Sequence, residues 1–435
     1  MNAEARINAP ELPATLEWFN TGQAYTLQQL RGRIVLLDFW TGCCINCVHV
    51  LQELRYLEKK YPDTLAVIGI HSPKFQNERV ASQLQKTINR LHIRHPVAND
   101  PKFELWRAYG IKAWPTLVLI DPEGHVIGAL RGEGRREQLD ALIQKHIAIA
   151  DSKGTMNRQK PDVTLKPEAA TTLSFPGKVC ATRNYLYIAD SGRNRLLETY
   201  HDGKIRRVFG SGSADLLDGQ EQSASFDNPQ GMVSVGEFVY IADAGNHAVR
   251  RLHVKSGEVM TLVGTGEQGR YVADRFQDPA QAKLNSPWDV TYHESNLYIA
   301  MAGQHQIWRM NLNHLAIDRF AGSGREDLID GSVEQASFAQ PSGLGVHDNT
   351  LFVADAESSA IRAVSLAHGR VCTLIGKGLF DFGDRDGVGK EARLQHPLGL
   401  EVDAQRNALW IADTYNSKIK RVDLTTNQVS KFKFA

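Results

Sequence analysis

Cysteine is scarce in this chain, at five residues in 435, and the number is odd. A secreted domain stapled by a framework of disulfides is therefore excluded. Long hydrophobic runs are lacking too, and no stretch reaches the roughly 18 consecutive apolar residues that a membrane helix requires. The opening MNAEARINAPELPATLEWFN has no basic segment followed by an apolar one, so no secretory signal is expected and the expected location is cytoplasmic. An excess of either charge is missing as well. A net charge of +1 gives no global field that would draw the molecule to nucleic acid or anionic lipid. The chain is longer than one typical domain of roughly 150 residues, and two domains are expected. Three of the cysteines crowd together as Cys43, Cys44 and Cys47, which is the first pointer to chemistry.

Residues 1–150 alternate strand-like and helix-like patterns. IVLLDFW (Ile34–Trp40) is a short apolar run of buried-strand type, and from Val48 to Lys60 apolar residues recur at helical spacing. LAVIGI (Leu65–Ile70), a helical stretch around Glu78–Leu91, TLVLI (Thr116–Ile120), HVIGAL (His125–Leu130) and a helix through Arg136–Ile147 follow. Such alternation predicts an α/β layer with a central sheet covered on both faces. Residues 151–170 are polar, aperiodic and hold two prolines, and read as a linker.

Residues 171–435 carry a repeat. YIADSGRNRLLETY, YIADAGNHAVRRL, YIAMAGQHQIWRM, FVADAESSAIRAV and WIADTYNSKIKRV align, and the residue after their Ala (Asp190, Asp243, Met301, Asp355, Asp413) recurs at steps of 53, 58, 54 and 58. Each follows a proline-containing strand start and precedes one more apolar strand. Four short strands per unit, repeated radially, make a propeller blade. The pattern resembles the NHL repeat family, with five repeats visible and six blades the alternative. The Asp-Gly pairs at 218, 330 and 386 are expected in tight turns needing positive φ. The repeated Asp is read as capping an Asx turn rather than binding metal. The basic residues of the third strand (Arg195, Arg250, Arg251, Arg309, Arg362, Lys420, Arg421) are read as an exposed guard near the blade edge. Cys180 and Cys372 are expected to be buried core thiols.

The chemistry concentrates in VLLDFWTGCCINC. A cysteine at a helix N-terminus meets unpaired backbone N–H groups and the positive end of the helix dipole, both of which favour thiolate. Cys44 is thus the expected nucleophile, with a lowered pKa. Cys47, three residues on, lies on the same helix face and can resolve a mixed disulfide. Asp38, on the strand beneath, is placed to take the proton of Cys47. A metal site is the rival, but the nearest histidine is His49 and no second Cys-x-x-Cys completes four ligands. No metal and no cofactor are expected.

These features resemble the thioredoxin family over about residues 10–150, with the segment between Ile70 and Trp106 similar to the insert of TlpA-type thiol reductases and peroxiredoxins. The resemblance places Pro115, in GIKAWPT, at the position of the family's cis-proline, beside which an extended substrate pairs. It departs from the family in Cys43, in the Ile-Asn dipeptide between the cysteines and in Trp114. The order of a thioredoxin-like domain followed by NHL repeats implies a thiol–disulfide oxidoreductase whose propeller selects or presents a protein client. Its partners are that client and a thiol reductant or disulfide substrate, with neither nucleic acid nor membrane expected. A redox-inert interaction scaffold is the alternative, and the direction of electron flow stays open.

Overall fold

The computed structural model describes residues 7–159, 162–166, 171–270 and 274–434. The chain divides into two compact units, Met1–Ala170 and Thr171–Ala435. The N-terminal unit carries strands β1 (Ile7–Asn8), β2 (Glu17–Phe19), β3 (Ile34–Trp40), β4 (Leu65–His71), β5 (Val97–Asn99), β6 (Thr116–Ile120) and β7 (His125–Arg131). They form one sheet in the order β1-β7-β6-β3-β4-β5-β2. Strands β3, β4 and β5 run parallel, and β6 joins β3 antiparallel. Helices α1 (Ile45–Lys60), α2 (Ala81–Arg90), α3 (Glu104–Ala108) and α4 (Arg136–Ser152) complete the unit.

The central β3 is buried along its whole length, as a parallel strand covered on both faces must be. Alternation splits its side chains. Ile34, Leu36 and Trp40 pack with Cys47, Val50 and Leu54 of α1 and with Leu139 and Ile143 of α4. Val35, Leu37 and Phe39 pack on the other face with Tyr25, Leu30 and Ile111. Asp38 falls in the first of these columns, so the pleat sets a carboxylate into an apolar layer beneath α1.

Helix α4 outruns its expected end and continues to Ser152. Gly154, at φ +64, supplies the left-handed residue that ends it, and the Thr155 N–H closes back on the Ala150 carbonyl at 3.0 Å. Part of the segment read as a linker then lies along this unit. Asn157 N–H donates to the Gly32 carbonyl at 2.6 Å, Tyr25 Oη to the Asp162 carbonyl at 2.6 Å, and Thr164 N–H to the Asn20 carbonyl at 3.0 Å.

The C-terminal unit is a five-bladed propeller. Blade one is a four-stranded antiparallel meander, and each of blades two to five has five strands. The fifth is a two-residue strand (Gly219–Gln220, Arg275–Phe276, Gly331–Ser332, Gly387–Val388) that pairs with the last full strand of its blade. The Asp-Gly pairs lie here, and this corrects the tight-turn expectation: each glycine opens an edge strand, and each aspartate serves the third strand of its own blade.

That service overturns the exposed-guard reading for three of the seven basic residues. The third strand is interior to the blade, flanked on both sides, and Arg250, Arg362 and Lys420 are fully buried. Arg250 donates to Asp243 Oδ2 at 2.9 Å, to Asp218 Oδ1 at 2.9 Å and to the carbonyls of Leu217 and Ser225, both at 2.7 Å. Arg362 repeats the pattern with Asp355, Asp330, Ile329 and Ser337. Lys420 reaches Asp386 at 2.8 Å. The repeated aspartates are structural, yet they make no Asx turn. Their Oδ1 accepts an N–H from the loop 16 or 18 residues upstream, as Asp227 N–H does for Asp243 at 2.8 Å and Gln395 N–H for Asp413 at 2.8 Å.

Blade three replaces the pair as a pair. Met301 stands for the aspartate and Trp308, seven residues on, for the arginine, and both are buried in one apolar cluster. On the innermost strands, Lys178 of blade one donates to Asp289 of blade three at 2.5 Å and to the Ser342 carbonyl of blade four at 2.7 Å. The expectation of two buried thiols also fails. Cys372 is exposed and Cys180 half-buried, because the strand pleat turns Cys372 away from the buried Val371.

Candidate thiol redox site

Cys44 is the N-cap of α1, with φ −80 and ψ 117, and no acidic side chain occupies the first turn. Its carbonyl already accepts Val48 N–H at 3.2 Å. Its side chain, half-buried, therefore stands at the end of the helix where N–H groups lack intrahelical partners. Cys47 is one turn further in and buried, in hydrogen-bond contact with Cys44. Burial pushes the Cys47 thiol well up, and the neighbouring Cys44 and Asp38 push in the same direction. A thiol so placed holds its proton firmly.

Asp38 acts on that thiol from the strand beneath. It is 0% exposed, and neither carboxylate oxygen has a hydrogen-bond partner among the described residues. Burial raises its pKa to about 7, with His95 pulling modestly the other way. A carboxylate poised near neutrality can accept a proton and return it.

The Trp114–Pro115 peptide bond is cis. Pro115 immediately precedes β6, and its carbonyl accepts Gly132 N–H at 2.9 Å. Trp114 and Cys44 pack at the margin of the core cluster that contains Cys47. The Trp114 ring lies 4.6 Å from Trp106, centre to centre.

Cys43 is tied into the loop below. Its N–H donates to Glu78 Oε1 at 3.0 Å, and its sulfur lies 3.6 Å from Thr41 Oγ1. Glu78 Oε2 takes Thr41 Oγ1 at 2.8 Å and the N–H groups of Lys74 and Phe75 at 3.1 and 3.0 Å. A buried carboxylate from the insert thus fixes the loop that delivers Cys44. His49 faces elsewhere, with Nδ1 at 2.5 Å from Glu133 Oε2. One acidic and histidine group, Asp121, Glu123 and His125, gathers on the β6–β7 loop, where Asp121 Oδ1 accepts both following N–H groups and Glu123 pairs with Lys153.

A Thioredoxin-like family model matches residues 32–126. NHL repeat-containing protein 2 of Bos taurus is 39% identical across 97% of this chain. The chain is a thioredoxin-like domain followed by a five-bladed propeller, and it is similar to that NHL-repeat protein across both. It spans 63% of the length of the Bos taurus protein. The Arabidopsis thaliana Protein SUPPRESSOR OF QUENCHING 1, chloroplastic, is 40% identical, again across 97% of this chain and over 42% of its own length. The thioredoxin-like domain alone is similar to the thiol-disulfide oxidoreductase ResA of Bacillus thuringiensis, 28% identical over 28% of this chain and 69% of that protein.

Within the thioredoxin-like domain the structure brings Cys44, Cys47 and Asp38 together at the foot of α1. Two residues escaped the sequence reading. Glu78 looked like one more polar position of a helix, and nothing local says that it turns back to Thr41 and Cys43. His95 lay in a segment with no motif, and its value comes only from its neighbours in space. Among the described residues no helix is long and apolar enough to cross a membrane.

Proposed function

We propose that the thioredoxin-like domain exchanges disulfides with a protein client, with Cys44 as nucleophile and Cys47 as resolving thiol, while the propeller selects or presents that client. The observation that carries this is the half-exposed Cys44 at the N-cap of α1, with buried Cys47 beside it and the unpartnered Asp38 behind. Attack by Cys44 on a client disulfide forms the Cys44–client bond and releases one client thiolate. Cys47 then gives its proton to Asp38, attacks Cys44 and releases the second client thiolate, so the client is reduced and the pair oxidised. The reverse sequence oxidises a client dithiol. Pro115 offers backbone beside which an extended client can lie. A cytoplasmic, reducing setting belongs to the same proposal.

A trap tests it. Cys47→Ala removes the resolving thiol, so the mixed disulfide forms and cannot be released intramolecularly. Reducible high-mass adducts should accumulate through Cys44, vanish in Cys44→Ser/Cys47→Ala and persist in Cys43→Ser/Cys47→Ala. Deleting the propeller should change which clients are held without ending capture. Adducts that depend on Cys43 would move the nucleophile by one residue. A purified pair inert to small dithiols and disulfides would leave a redox-inert scaffold as the function.

A further inference from the structure

Asp38 is sealed from solvent, so a proton taken from Cys47 needs a way out. The sheet register supplies one. Asp38 on β3 stands directly opposite Gly69 on β4. Parallel register partners project to the same face at a spacing of about 4.8 Å, and the missing side chain of Gly69 lets its neighbours close in beside the carboxylate. A Cβ at Gly69 would lie 2.9 Å from Trp40 Nε1, 3.2 Å from Val97 Cγ2 and 3.4 Å from His95 Nε2. Trp40 Nε1, both ring nitrogens of His95 and both oxygens of Asp38 are buried with no hydrogen-bond partner among the described residues. Buried polar atoms left in this way are costly, and the His95 imidazole is near enough to act on the Asp38 carboxyl through its charge. On its far side His95 Nδ1 lies 3.3 Å from Glu58 Oε1, without the alignment of a hydrogen bond, and the Glu58 side chain is 31% exposed.

We infer that His95 is a positioning residue that passes the proton between Asp38 and solvent, from the carboxylate past Gly69 to Nε2, and from Nδ1 to Glu58. This rests on the proposed role of Asp38. As Cys47 attacks and the Cys44–Cys47 bond forms, its proton moves to Asp38. Asp38 then protonates Nε2 while Nδ1 releases its own proton to Glu58, and the client leaves as thiolate. No further oxidant or reductant is required, because the client disulfide takes both electrons. Asp38 on β3 and Glu58 on α1 are the charged groups that face the imidazole.

The test uses the full chain in a Cys43→Ser background, charged on Cys44 with thionitrobenzoate, and follows the release of that chromophore by Cys47 against pH. His95→Gln keeps the size and polarity of the ring and removes its ability to carry a proton. It should slow release by about tenfold and flatten the pH profile, less than the roughly hundredfold or more contributed by a side chain that moves the reacting proton directly. Glu58→Gln, nearer the surface and safe for the fold, should slow release by about threefold, and added buffer of rising concentration should restore it. Cys44 alkylation should keep its wild-type rate in both variants. If Asp38→Asn slows release while His95→Gln and Glu58→Gln leave rate and profile unchanged, the relay is wrong and the role of Asp38 stands. If Asp38→Asn also changes nothing, the failure lies with the proposed base itself. Should His95→Gln not fold, an unaltered rate and buffer response in Glu58→Gln overturns the relay.

Discussion

Asp38→Asn offers a test in which stability rather than turnover is read. An aspartate in an unfolded chain titrates near 3.8, and the buried Asp38 carboxyl is raised to about 7. The native state therefore holds a proton that the unfolded state has lost between these values. Since stability changes with pH as the difference in protons bound by unfolded and native states, this group makes stability fall as pH rises from about 4 to about 7. About three pKa units at 1.36 kcal/mol each give a cost of about 4 kcal/mol that is in full force above neutrality. Asparagine removes that pH-dependent cost and brings a buried amide with a penalty of its own, about 1–3 kcal/mol, which does not depend on pH. The amide penalty cancels when the difference between variant and wild type is compared at two pH values. The buried His71, lowered to about 4, contributes in the opposite direction between 4 and 6.5 and cancels likewise. The expected result is that Asp38→Asn gains about 4 kcal/mol relative to wild type on going from pH 4 to pH 8. Amide hydrogen exchange of the β3 backbone isolates the opening of this unit from that of the propeller. A difference that stays flat across this range would falsify the assignment of Asp38 as a protonated buried acid.

Two further outcomes follow from the contacts. Glu78→Ala removes an acceptor from the N–H groups of Cys43, Lys74 and Phe75 and from the Thr41 hydroxyl, and should cost about 3 kcal/mol in urea denaturation of the N-terminal unit; a loss below about 1 kcal/mol would show the loop to be held by other means. In blade four, Arg362→Met leaves Asp355 buried without its cation and should cost about 3–5 kcal/mol, whereas the double change Asp355→Met with Arg362→Trp, copying blade three, should recover most of it when propeller unfolding is measured; a double variant no better than the single one would mean that the blade-three pair depends on its own neighbours.

The parts of the chain that were legible in sequence are those fixed by local periodicity. The apolar run of β3, the helical spacing after Cys47 and the recurrence of the aromatic-Ile-Ala-Asp strand each encode an element within a few residues. The helix start at Cys44 was legible for the same reason, because an N-cap is a property of one turn. Glu78 was not, since its hydrogen bonds join segments 35 or more residues apart as well as its own turn, and a single Glu in a polar stretch carries no sign of that. His95 was hidden for a related reason. Its surroundings depend on Gly69 being the register partner of Asp38, which requires the parallel pairing of β3 with β4 to be known residue by residue.

The misread arginines show how charge pattern alone misleads. A basic residue recurring once per repeat is equally compatible with an exposed guard and with a buried cation, and only its partners separate the two. Those partners were present in the sequence: an aspartate seven residues earlier and another just ahead of a glycine about 32 residues earlier. Blade three contained the decisive clue. There the aspartate becomes Met301 and, seven residues on, the arginine becomes Trp308. An exposed guard gives no reason for the two positions to change together, because a surface arginine has no debt to a distant carboxylate. A buried ion pair does, because removing one member strands the other in a medium that cannot solvate it. Exchange of both for apolar side chains of similar bulk keeps the blade filled and leaves no charge behind, whereas blade one, with Leu197 seven residues after Asp190, keeps its aspartate paired by Arg195 at 2.8 Å instead.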